Sequence, residues 1–112
     1  MGDGELSGTG IEIAGAVTLK VSLIKNTPLD EPVIEDKDAV YMLATQDTFE
    51  DGMQAVVARA VDLISRKNDM VFPDAYRLVS ATCDIRVSQV VNGVITVKVK
   101  IPRYALNWEG YL

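Results

Sequence analysis

The first third of the chain has a regular alternation of apolar and polar positions. Between residues 11 and 24, large aliphatic side chains occupy every second position except Gly15, and Glu12 and Lys20 are among the residues between them. The aliphatic set is Ile11, Ile13, Val17, Leu19, Val21 and Leu23. Because successive side chains of a strand point to opposite faces, the pattern predicts a long strand, half-buried against a core and bent near Gly15.

The middle of the chain changes from alternation to helical spacing. A loop containing Pro28 and Pro32 precedes a short predicted strand at residues 39–44. A helix is then predicted from Thr48 to about residue 68, and either Thr48 or Asp47 can serve as its N-cap. Its apolar face consists of Phe49, Met53, Val56, Val57, Ala60, Leu63 and Ile64. Pro73 suits the first turn of a second helix that runs to about residue 82.

Two further alternating runs, residues 84–91 and 95–101, are joined by Asn92-Gly93. This dipeptide between alternating runs is a strong signal for a hairpin with a type I′ turn. The predicted order is therefore strand, strand, helix, helix, hairpin. That order indicates an α+β fold, in which two helices pack on one face of a mostly antiparallel sheet. The aromatic tail around Trp108 either packs on this body or contacts another chain.

Length and composition narrow the class of protein. At 112 residues the chain is predicted to form a single domain, 1–112, with one core. A net charge of −5 disfavours nucleic acid and anionic membranes as partners. No apolar run approaches the roughly 20 residues of a membrane span, and no signal-peptide pattern opens the sequence. One cysteine, Cys83, suits a reducing compartment. We therefore expect a cytoplasmic protein.

The chain contains no histidine. Histidine is the usual general base near neutral pH and the commonest protein ligand for metals. Any acid–base chemistry must therefore use carboxylates, or a histidine from another chain. The first candidates are Asp3 and Glu5, which lie two residues apart with glycines at positions 2, 4, 8 and 10. In an extended segment they would point to one side, toward one ion or one water. The alternative is a flexible acidic terminus.

Two blocks of sequence resemble the acetamidase/formamidase family. The first, MGDGELSGTGIEIAGAVTLKV, runs from Met1 to Val21, and the second comprises DAYRLVS at 74–80 and DIRVSQVVN at 84–92. The resemblance implies hydrolysis of short linear amides to a carboxylic acid and ammonia, with a bound divalent metal such as zinc. Within the Gly-Asp-Gly-Glu motif it implies that Glu5 is a general base or metal ligand. It implies that Asp3 orients a reacting group or also binds the metal.

The sequence departs from the family in one respect. Family members are usually much longer, and a segment with Asp and His precedes their Gly-Asp-Gly-Glu motif. Here Met1 directly precedes it. We therefore expect the C-terminal part of such an enzyme, begun at an internal methionine and completed by a separate N-terminal subunit or by homo-oligomerisation. The alternative is a non-catalytic oligomeric module derived from a truncated amidase.

Four other features carry candidate chemistry. Gln89 falls on the apolar face of the predicted strand 84–91, so it either satisfies backbone groups or lines a substrate site. Cys83 is either a nucleophile or a buried structural thiol, and no histidine is present to activate it. Ser80 lacks the Gly-x-Ser-x-Gly sequence of serine hydrolases. The acidic residues at positions 35, 36 and 38 form either a cation site or a solvated loop.

Overall fold

Four antiparallel strands and two helices form the body of the protein. The structure, a computed structural model, describes residues 6–110. The elements in chain order are β1 (Val33–Glu35), β2 (Ala39–Gln46), α1 (Phe49–Asn68), α2 (Phe72–Thr82), β3 (Asp84–Gln89) and β4 (Ile95–Pro102), followed by a 3₁₀ turn, Arg103–Ala105. The strands lie in the order β1-β2-β4-β3. The predicted α+β class, with an antiparallel sheet and two helices, is confirmed.

The core lies between one face of the sheet and the inner side of α1. Its fully buried side chains include Val40, Val97, Val99 and Ile101 from the sheet and Val56, Ala60, Leu63 and Ile64 from α1. The helix comes closest to the sheet at Gly52, where an added Cβ would stand 3.0 Å from Cγ2 of Val97. Glycine therefore permits the N-terminal part of α1 to lie directly on β4.

The limits of α1 follow from its terminal residues. Thr48 is the N-cap, and its Oγ1 accepts a hydrogen bond from the backbone N–H of Asp51 at 3.1 Å. At the other end Asp69 adopts the left-handed conformation, with φ of 52°. Short polar residues tolerate this conformation, and it ends a helix. The predictions for both ends of this helix agree with the structure.

The strand predicted at residues 11–24 is absent. No regular secondary structure is found between residues 6 and 32, and the aliphatic side chains of the predicted strand are 78–98% exposed. The first strand is instead β1, at positions that the sequence analysis assigned to a loop. Alternation shows which residues would share a face, but a strand also needs a neighbour to complete its backbone hydrogen bonds. Within residues 6–110 no strand pairs with this segment.

The hairpin is confirmed, but its first strand is shorter than predicted. Asn92 and Gly93 have φ of 68° and 82°, the positive values that a type I′ turn requires. However, β3 ends at Gln89 and β4 begins at Ile95. The register shifts between Val87 and Gln89. This bulge interrupts the ladder before the turn, so residues 90 and 91 lie outside the strand.

The aromatic tail packs on its own chain, at least as far as residue 108. Side-chain Nδ2 of Asn68 donates to the carbonyl of Ala105 at 2.8 Å, and its Oδ1 accepts from the N–H of Asn107 at 2.7 Å. The ammonium of Lys67 lies 4.8 Å from a ring centroid of Trp108. Of the two alternatives left open by the sequence, contact with the body is therefore found for this part of the tail.

Candidate functional site

The two carboxylates of the predicted amidase site, Asp3 and Glu5, lie outside the described residues. Their roles as general base and metal ligands remain predictions. Among residues 6–110, no group of three or more Asp, Glu, Cys or His side chains is arranged to hold a metal ion. Together with the absence of histidine from the sequence, this means that the described part of the chain does not fit a complete divalent-metal site.

The face of the sheet opposite the helices carries a band of cationic side chains. Lys98 lies at the centre of β4 and is directly opposite Leu43 on one side and Arg86 on the other. It is only 7% exposed, and its ammonium stands 5.2 Å from the ring centroid of Tyr41. The aliphatic stem of Lys98 is thus covered while its charge lies over an aromatic ring. Lys100 follows two residues later on the same face.

The acidic residues after β1 have internal partners. Asp36 accepts hydrogen bonds from the N–H groups of Asp38 and Ala39, each at 2.8 Å, and from the hydroxyl of Tyr41 at 3.1 Å. The backbone donors hold the pKa of Asp36 below 3.8. Glu35 pairs with the guanidinium of Arg103. These contacts favour a structural turn over a cation site.

Gln89 is on the other face of the sheet from the one predicted. The bulge places it opposite Thr96, whose hydroxyl lies 3.0 Å from that of Thr45 on β2. Because directly paired residues share a face, Gln89 belongs to the helix-free side and not to the side of Val87. Its Nε2 donates to the carbonyl of Val91 at 3.3 Å. A local backbone bond is therefore found, and a role in substrate binding remains a prediction.

A groove of about 240 Å³ lies on the helix side, where the outer strand β3 meets the two helices. It is lined by Val57, Tyr76, Val79, Ser80, Cys83 and Ile85. Tyr76 and Ile85 are 52% and 45% exposed. The Tyr76 ring stacks on that of Phe72, with centroids 5.9 Å apart. The groove is therefore largely apolar and accessible from solvent.

The surroundings of the Cys83 thiol in this groove do not activate it as a nucleophile. Burial raises the pKa of the Cys83 thiol above its ordinary value of 9.0, and the charge of Asp84 acts in the same direction. The Thr82 hydroxyl, 3.7 Å from the sulfur, opposes the shift only in part. The thiolate is the reactive form of cysteine. The structure therefore favours a structural role for the Cys83 thiol over a role as a nucleophile.

We expect Cys83 to react with iodoacetamide at pH 8 at least about tenfold more slowly in the native protein than in urea, because burial disfavours the thiolate. The measurement is the alkylated fraction against time by intact-mass spectrometry. The urea-unfolded chain is the matched control, since it contains the same thiol. Equal rates in both states would contradict this description of Cys83.

Sequence comparisons identify no relative: no protein-family model matches the chain, and no curated protein matches it. A comparison of structures does find similarity, to the crystal structure of an acetamidase from Bacillus halodurans. The TM-score is 0.62, with 18% identity over 65% of this chain. The matched part of this chain therefore shares its fold with part of the acetamidase. The match spans only 25% of the acetamidase chain, so the matched part of this chain corresponds to about a quarter of that protein. Separately, neither helix in the described residues is long and apolar enough to cross a membrane.

The apolar groove was missed by the sequence analysis. The available signal was the helical spacing of Tyr76, Val79 and Cys83, since residues at such intervals lie on one side of a helix. The opposite wall, Ile85, comes from a different element. Its position beside α2 depends on the order of strands in the sheet, which the local pattern does not determine.

Proposed function

We propose that this chain is one part of a hydrolase that acts on carbon–nitrogen bonds of short linear amides and releases a carboxylic acid and ammonia. Its main support is the fold shared with the Bacillus halodurans acetamidase. The Gly2-Asp3-Gly4-Glu5 motif adds the carboxylates that such a reaction uses. Because the match spans about a quarter of the acetamidase chain, the proposal assigns the remaining site residues to another subunit or another copy.

In this proposal the two carboxylates have different tasks. Glu5 acts as general base on the water that attacks the amide carbonyl carbon, and it then returns the proton to the departing nitrogen. This transfer is necessary because an amide anion is too poor a leaving group near neutral pH. Asp3 orients the water or the substrate. General base catalysis of this kind contributes a factor of about 10²–10⁴ to a rate.

A divalent metal such as zinc does not enter these steps. Asp3 and Glu5 supply two carboxylates, and a zinc site with an open position normally has three protein ligands, often histidines. The chain has no histidine, and its described residues contain no ligand cluster. A metal held jointly with another subunit remains a prediction from the family resemblance.

The test is ammonia release from formamide and acetamide by the protein in its native assembly, with and without added zinc. We expect release by the wild type and a rate at least about 100-fold lower for Glu5→Gln, because glutamine cannot accept the proton. Glu12→Gln is the matched control, since it removes a nearby carboxylate outside the motif, and it should retain the wild-type rate. Equal rates for wild type and Glu5→Gln would overturn the role of Glu5.

The second candidate is a non-catalytic oligomeric module with the fold of an amidase fragment. The absence of histidine and of a metal-ligand cluster in the described residues favours it. It is distinguished by the same assay: folded wild-type protein that releases no ammonia in its native assembly, under either metal condition, would support the module and overturn the hydrolase.

A further inference from the structure

The exposed segment 11–24 has the pattern of a strand without a sheet. Its odd-numbered positions carry six large aliphatic side chains that are 78–98% exposed. Its part 17–23 contains one charge, Lys20. Monomeric soluble proteins rarely expose apolar surface as a continuous stripe, and such stripes mark interaction sites.

The outer edge of β3 provides a matching position. In the described residues β3 pairs only with β4, so its other edge presents backbone groups without a strand partner. The apolar groove lies on the helix side of this same edge, with Ile85 in its wall. An added strand would complete the backbone ladder and fill the groove with alternate side chains, which is how sheet augmentation combines affinity with specificity.

The opposite edge of the sheet is less suitable. There β1 has three residues, and beyond it the edge of β2 is covered by a side chain. The guanidinium of Arg59 donates to the carbonyl of Leu43 and, at 3.0 Å, to that of Glu31. The six-residue β3 is longer, and the apolar groove lies beside it.

We propose that segment 17–23 of one copy pairs with the β3 edge of a second copy and inserts Val17, Leu19, Val21 and Leu23 into the apolar groove. In a symmetric dimer each copy gives its segment and receives its partner's. This inference concerns assembly and does not rest on amide hydrolysis.

The area available is sufficient for a stable dimer. Each large aliphatic side chain offers roughly 100 Å² of apolar surface. Two exchanged segments with four such side chains each would therefore contribute about 800 Å². The groove walls that they cover lose a similar area, which gives roughly 1,600 Å² in total, and stable interfaces bury about 1,200–2,000 Å².

The charges agree with this arrangement. When the odd-numbered side chains face the groove, Thr18, Lys20 and Ser22 fall on the helix-free face, since successive residues alternate. The exposed residues of β3 on that face are Asp84 and Arg86, which stand 3.4 Å apart. Lys20 therefore falls on the face that carries this ion pair, and no charge of segment 17–23 is placed in the apolar groove.

The test is the molar mass of the full chain by sedimentation equilibrium. We expect the wild type to have twice the 12.2 kDa mass of one chain. The double variant Leu19→Asp/Val21→Asp should raise the dimer Kd at least about 100-fold, because it puts charges into the groove. Thr18→Asp/Ser22→Asp is the matched control: it adds the same charges on the other face, and the dimer should persist.

A second pair of variants tests the groove side. Ile85→Asp and Ile34→Asp make the same change at two half-exposed isoleucines, 45% and 50% exposed, on opposite edge strands. Only Ile85→Asp should dissociate the dimer, and far-UV circular dichroism would verify that both variants are folded. A monomeric wild type, including one in which the segment folds onto its own chain, would overturn the proposal. So would a dimer that Ile34→Asp dissociates and Ile85→Asp does not.

Discussion

Replacing Ile64 with alanine should lower the free energy of unfolding by about 2–5 kcal/mol. Ile64 lies on the inner side of α1 and is fully buried. The substitution removes apolar contacts and leaves a cavity that the surrounding side chains fill only in part. Domains of this size are usually stable by about 5–15 kcal/mol, so the change would remove a large share of the total.

The measurement is urea denaturation at fixed protein concentration, followed by the fluorescence of the one tryptophan, Trp108. Tyr104→Ala is the control, because it removes a larger side chain that is 82% exposed. Its effect should be within about 0.5 kcal/mol. A similar loss for both variants would show that the residue at position 64 does not lie in a tightly packed core.

Replacing Arg103 with methionine should cost about 3 kcal/mol. The guanidinium pairs with Glu35, whose side chain is 11% exposed, and it donates through Nε and Nη2 to the carbonyl of Asp36 at 3.3 and 3.0 Å. Methionine has a similar length but no donor. The carboxylate of Glu35 would lose this cationic partner in a poorly solvated position, which is where the removal of one partner costs most.

The same substitution at Arg77 is the matched control. Arg77 pairs with Asp74 at 2.7 Å, but the two side chains are 76% and 54% exposed. Solvent screens such a pair, and its loss should cost no more than about 0.5 kcal/mol. Urea denaturation of both variants measures the difference. If Arg77→Met cost as much as Arg103→Met, burial would not be the source of the effect.

The elements that the sequence predicted well are those determined by neighbouring residues. The apolar spacing of α1 and its cap at Thr48 depend on side chains within a few positions of one another, and so does the turn at Asn92-Gly93. The same holds for the start of α2 near Pro73. Together these local signals were sufficient to give the α+β class.

The errors concern interactions between distant parts of the chain. Residues 11–24 alternate as a strand does, but alternation does not supply the neighbouring strand. Gln89 was assigned to the face of Ile85 because alternate residues of a strand share a face. The bulge between Val87 and Gln89 interrupts that alternation and places Gln89 on the other face. The pairing of β1 with β2 is likewise set by the sheet and not by the composition of its three residues, which include Glu35.

For the candidate site, the sequence supplied the residue types but not their surroundings. It identified the carboxylates of the Gly-Asp-Gly-Glu motif and the thiol of Cys83. It did not indicate that burial raises the pKa of this thiol, or that Ile85 completes a groove beside it. Those properties arise where α2 and β3 come together, and they require the three-dimensional fold.

The position of β4 has a consequence for synthesis of the protein on the ribosome. Although β4 is the last strand to be made in the described chain, it lies between β2 and β3 and pairs with both. A nascent chain that ends before residue 95 therefore has helices but lacks the central strand of its sheet. Val40 and Met42, on the inner face of β2, would lack their apolar neighbours Ile101 and Val99 until β4 emerges. Assembly of the sheet should thus wait for the synthesis of β4, with non-local pairing as its slow step and exposed apolar surface as the hazard during the delay.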